Sequence, residues 1–131
     1  MKLKDIKVRL KEYFFQHPAA KLRVRQIERE LKVPLHSAIR YTKELEKERI
    51  LKSASVAGVK FYSADRVSTN FLLEKRLYNI RSLFSSGLVD FLIQELSNPT
   101  LVLFGSYARG EDLENSDIDL AVITNKKNIP E

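Results

Sequence analysis

The chain has 131 residues, 44% hydrophobic and 31% charged, with a formal net charge of +6 and no cysteine. That length suits one or two small domains with modest cores, and the lack of cysteine excludes disulfide staples and thiolate metal sites. No segment approaches the roughly 20 apolar residues of a membrane span, and the charged start MKLKDIKVRLKEYFF lacks the apolar stretch of a secretory signal, so a cytoplasmic protein with no membrane partner is expected.

The charge is divided unevenly. Residues 1–66 hold 17 Lys or Arg against 8 Asp or Glu, a net +9, whereas residues 67–131 hold 6 against 9, a net −3. Such asymmetry points to a nucleic-acid-binding half beside a half with another task, against the plainer alternative of a solvated basic face.

From the N-terminus, Leu3, Ile6, Leu10 and Phe14 recur on one side of a helix expected from Leu3 to Phe15, which His17-Pro18 ends. A second helix is expected from Val24 to Leu31 with Ile27 and Leu31 inward, then a tight turn at Lys32-Val33-Pro34 and a third helix from Leu35 to about Arg49. At about 100° per residue Ala38, Thr42 and Leu45 share the core face of that third helix with Arg49 alongside, while His36, Arg40, Lys43 and Lys47 fall on the opposite one.

The stretch LRVRQIERELKVPLHSAIRYTKELEKERIL resembles the helix-turn-helix of winged-helix transcription factors, whose third helix enters the DNA major groove. The resemblance implies DNA contacts from His36, Arg40, Lys43 and Lys47 with Ser37 flanking. Arg40 suits a guanine edge and the lysines suit phosphates. A solubilising helix face with Glu44 beside Lys47 is the alternative. Ile50 to Ser53 and Val59 to Tyr62 read as a β-hairpin closed through Ala54 to Gly58, at the position of the wing, which makes Lys52 and Lys60 further DNA-contact candidates.

Asp65 to Asn70 is a polar junction. From Phe71 to Phe84 a helix is expected with Leu73, Leu77, Ile80 and Phe84 as one stripe and Phe71 and Tyr78 nearly opposite, so both sides are assigned to core packing or to a second subunit. Ser85-Ser86-Gly87 breaks it, and Leu88 to Leu96 forms another helix with Leu88, Leu92 and Leu96 inward, covering a small sheet.

Leu101 to Phe104, after Asn98-Pro99, reads as a buried strand that ends at Gly105-Ser106. Gly105 permits close backbone approach, and Ser106 offers a hydroxyl and opens a short helix whose first amides favour anions, with Arg109 and Gly110 one turn on. Ile118 to Ile123 reads as a second strand, whose alternation puts Asp117 and Asp119 on one face. Two carboxylates so placed repel unless a divalent cation such as Mg²⁺ offsets them through hard oxygen coordination.

The run GSYARGEDLENSDIDLAV resembles the signature of the minimal nucleotidyltransferases of the DNA polymerase beta superfamily, whose pattern is Gly-Ser, a spacer, then Asp-hydrophobic-Asp. The resemblance implies that Ser106 contacts an NTP triphosphate, that Gly105 shapes the turn, that Asp117 and Asp119 hold catalytic Mg²⁺, and that Arg109 belongs to the nucleotide site. That family places a third carboxylate on the next strand. Only Asn125 to Glu131 follow the second strand here, so the site is expected to lack that group, and the thin sheet is expected either to be covered by a second copy or to belong to a longer protein.

The fold class expected is α+β: a winged helix-turn-helix over residues 1–66, a connecting helix and dimer contact over 67–86, and a truncated nucleotidyltransferase-like αβ unit over 87–131. The expected function is that of a homodimeric DNA-binding transcriptional regulator whose second domain binds nucleotide and Mg²⁺ without a complete catalytic set. The alternative is an active Mg-dependent transferase that moves a nucleotidyl group from an NTP to a protein or small-molecule acceptor.

Overall fold

The computed structural model describes residues 5–125, so Leu3 and Glu131 lie outside the described residues. Helices and strands alternate in an α+β arrangement that divides into two compact units, residues 1–72 and 73–131. The division falls inside one helix rather than in a separate connecting segment.

In the first unit α1 (Ile6–Gln16) starts where the Asp5 carboxylate accepts from the Lys7 amide at 2.7 Å, and it stops at His17 before Pro18. Leu10 and Phe14 are fully buried. β1 (Lys21–Leu22), a strand too short for a periodicity signal, leads to α2 (Val24–Leu31), whose entry is fixed by the Arg23 amide donating to the Gln26 side chain at 2.9 Å. Lys32 then adopts a left-handed conformation at φ 53°, which ends α2 and allows Pro34 to open α3 (Leu35–Lys47). α1 and α2 both pack on α3, over Ala38, Thr42 and Leu45, all fully buried.

α3 ends two residues earlier than periodicity suggests, because Arg49 turns left-handed at φ 60° and the Ile50 amide reaches back to the Leu45 carbonyl at 2.9 Å. β2 (Leu51–Val56) and β3 (Val59–Ala64) follow, joined by Ala57 and Gly58. Both connecting residues have positive φ, 51° and 78°, the twist of a two-residue hairpin turn, so the strands extend further into the loop than Ala54 to Gly58 implied. β1 pairs with the far edge of β3 to give the antiparallel order β1-β3-β2.

α4 (Thr69–Ser85) runs across the boundary between the units. Its first turn belongs to the first unit, where Phe71 is buried with its ring 5.6 Å from that of Phe15. The second unit continues with α5 (Leu88–Leu96), β4 (Thr100–Phe104), α6 (Gly105–Arg109) and β5 (Asp119–Ile123). β4 and β5 form a two-stranded antiparallel sheet in which Phe104 faces Asp119 and Thr100 faces Ile123.

One assignment of facing is corrected. In α5 the inward residues are Val89, Leu92 and Leu96, and Leu88 is exposed, because the helix begins at Leu88 itself after the left-handed Gly87. In α4 the apolar stripe Leu73, Leu77, Ile80 and Phe84 is exposed, and the buried residues are Phe71, Lys75, Asn79 and Leu83. A polar pair thus occupies the inward face of an amphipathic helix. Among the described residues no helix is long and apolar enough to cross a membrane.

Candidate functional site

The end of β4 is an abrupt bend. Phe104 is fully extended, and Gly105 then turns to φ 79°, a region that residues with a Cβ rarely enter. A second constraint acts on the same atom: a Cβ built on Gly105 would sit 2.3 Å from Oδ2 of Asp119. The Phe104–Asp119 register therefore lays the Asp119 carboxylate directly over the glycine, in space that any other residue would fill.

Asp119 opens β5 on the exposed face of the sheet, with Leu120 turned to the half-buried side beside Leu103. Asp117 is exposed and lies two residues before Asp119, just after a turn in which the Ser116 hydroxyl accepts from the Leu113 amide at 2.8 Å. Among the described residues no three His, Asp or Glu side chains gather as a metal-binding group.

Ser106 is half-buried in the first turn of α6, and its carbonyl accepts from the Glu111 amide at 2.9 Å. Arg109 is exposed and its guanidinium is paired with Glu111.

The sequence reading missed the group that holds α6 in place. Lys75 Nζ donates to Asn79 Oδ1 at 2.8 Å and to Asp112 Oδ2 at 2.9 Å, and Asn79 Nδ2 donates to Asp112 Oδ1 at 2.8 Å and to the Tyr107 carbonyl at 2.9 Å. The Tyr107 hydroxyl donates back to the Asn79 carbonyl at 2.8 Å. Burial, followed by the nearby Asp112 charge, pushes the Tyr107 phenol above its ordinary pKa, which keeps it a donor. α4 thus grips α6 by both backbone and ring, and fixes through Asp112 the loop that leads to the aspartates. The signal in the sequence was Lys75 and Asn79 at i, i+4 between apolar Phe71 and Leu83.

On the first unit, His36, Arg40, Lys43 and Lys47 are all exposed along α3. Ser37 is not among them. It is 8% exposed, beside Ala38 on the packed side, so its position as a flanking contact is corrected. Glu44 lies near Arg40 at 3.8 Å and Lys7 at 3.7 Å, and the Arg40 guanidinium stands 5.4 Å from the Tyr41 ring centre. Lys60 is turned toward α3, 3.7 Å from Glu46 and over the Tyr62 ring, and its ammonium pKa is raised first by Tyr62 and then by Glu46.

Residues 85–129 match the family model of the nucleotidyltransferase domain. A nucleotidyltransferase domain is present. The matched segment carries the bend, α6 and both aspartates, and it leaves Lys75 and Asn79 of α4 outside. No curated protein and no solved structure matches the chain.

Two outcomes follow from this geometry. Gly105→Ala forces the Asp119 carboxylate aside and strains the backbone, so it should cost about 1–2 kcal/mol of stability, read by denaturant unfolding. Lys75→Met leaves Asp112 buried without its cation and should cost about 3–5 kcal/mol in denaturant unfolding, with Lys75→Met plus Asp112→Leu recovering much of the loss.

Proposed function

We propose that this chain is a DNA-binding regulator whose second unit binds an NTP together with Mg²⁺ at the Gly105 bend. The observation that carries the nucleotide reading is the Asp119 carboxylate held over Gly105, within a segment that matches the nucleotidyltransferase domain.

Nucleotidyltransferase domains use NTP and usually Mg²⁺, and the donors here fit that ion: carboxylate oxygens of Asp117 and Asp119, hard ligands of the kind it prefers. When bound, the ion neutralises phosphate charge and polarises the phosphoryl group. The chain's own residues do the rest. Gly105 leaves room for the Asp119 carboxylate to lie against the bend, and Ser106 contributes its hydroxyl and amide. Asn79 keeps α6 from swinging by holding the Tyr107 carbonyl. Arg109 would have to exchange Glu111 for a phosphate oxygen, a substitution that its exposure allows.

The DNA reading is supported by the order α1, β1, α2, α3, β2, β3, in which a hairpin follows the third helix as the wing does in winged-helix proteins. The exposed basic row on α3 and the net +9 of residues 1–66 add to it. His36, Arg40, Lys43 and Lys47 are the contacts of choice. Lys60 is engaged by Glu46 and contributes less.

A second reading, an active transferase that moves a nucleotidyl group to a protein or small-molecule acceptor, is favoured by the family match itself. The native protein and an Asp117→Asn, Asp119→Asn variant, each incubated with labelled NTP, Mg²⁺ and cell extract, separate the two. Mg-dependent NTP binding that the variant loses is expected on both readings. Label that appears on an acceptor only with the native protein establishes the transferase, and NTP binding unchanged in the variant defeats the site altogether.

DNA affinity should fall steeply with salt, and Arg40→Ala with Lys43→Ala should weaken it by about 1–3 kcal/mol and lower the salt slope, measured by fluorescence anisotropy on genomic fragments. Binding that is indifferent to both substitutions would remove the groove assignment.

A further inference from the structure

One face of α4 is apolar and open. Leu73, Leu77, Ile80 and Phe84 are 51%, 57%, 43% and 56% exposed, on the side away from buried Lys75 and Asn79. Steps of four, three and four residues between them follow the 3.5-residue repeat of a coiled-coil seam, and a contiguous stripe of this kind marks a contact surface rather than scattered surface hydrophobes.

The geometry points to a second copy of this chain as the occupant, with α4 packed antiparallel on α4 about a two-fold axis lying between Leu77 and Ile80. In that register Leu77 packs beside Ile80 of the second copy and Leu73 beside Phe84, so each member of the stripe meets an apolar partner. The contact is isologous and closes at two chains.

Charge selects the orientation. Glu74 and Arg81 are seven residues apart, two turns, and so share one flank of the stripe, while Arg76 lies on the other. A two-fold axis perpendicular to the helices brings like flanks together and sets Glu74 of each copy beside Arg81 of the other, giving two opposite-charge contacts. A parallel pair instead opposes Arg76 to Arg81 of the second copy on both sides, at the five-residue offset of flanking seam positions, a repeated like-charge cost. Every residue invoked lies in the second unit, and the inference stands whether or not the Gly105 bend binds nucleotide.

Sedimentation of the full chain over a range of concentrations is the test. The native protein should form a dimer, and Leu77→Glu with Ile80→Glu should yield a folded monomer with an unchanged far-UV circular dichroism spectrum and a Tm that no longer rises with protein concentration. Glu74→Arg or Arg81→Glu alone should raise the dimer Kd roughly tenfold, and the two together should restore it. Because the chain has no cysteine, disulfides report orientation. Leu73→Cys protein mixed with Phe84→Cys protein should cross-link on oxidation, whereas Leu73→Cys alone should not, as about 16 Å of helix separates that position from its own copy in the antiparallel pair. A native protein that stays monomeric at every concentration, a dimer untouched by the paired glutamates, or ready self-linking of Leu73→Cys would overturn the inference.

Discussion

Lys75 and Asp112 meet at 2.9 Å with almost no access to water, where two such groups are tolerated only if hydrogen bonds take up their remaining capacity. Asn79 supplies those bonds, accepting from the lysine and donating both to the aspartate and to the Tyr107 carbonyl. Two consequences spread from this small network. α6 and the bend before it acquire a fixed seat on α4, and α4 is committed to presenting its polar pair inward. Once Lys75 and Asn79 take the inner face, Leu73, Leu77, Ile80 and Phe84 have nowhere to go but out.

The bend itself depends on a local rule that any short stretch of sequence can express. A glycine is required where the chain turns to positive φ and where a carboxylate lies within 2.3 Å of the Cβ position, and Gly105 and Asp119 are legible for that reason. The helices and hairpin of the first unit were legible on similar grounds. Pro34 separates α2 from α3, Gly58 supports the turn, and Leu10, Phe14, Ile27 and Leu45 repeat at helical spacing and are buried.

What escaped the sequence has a common cause. Lys75 and Asp112 are 37 residues apart, and no periodicity announces that a lysine and an asparagine will take the inner face of α4. The rule that apolar residues face inward assumes that a helix has one body to pack against, and α4 carries apolar residues on more sides than its own unit covers. A smaller miss is of the same type: Ser37 is polar yet packed beside Ala38 on the core side of α3.

The division of charge follows the division of structure, since residues 67–72 carry none: the first unit holds the net +9 and the second the net −3. These signs impose different conditions on the two anions of the proposed function. A nucleic acid approaching the first unit meets fixed Lys and Arg, and its binding is governed by release of counterions into bulk salt. A triphosphate approaching the second unit meets exposed Asp117 and Asp119, each phosphate charge repelled by about 1 kcal/mol per carboxylate at 4 Å even with full solvent screening. On the proposed function a divalent cation would offset that repulsion, so nucleotide occupancy would follow the metal supply while DNA contact would follow ionic strength.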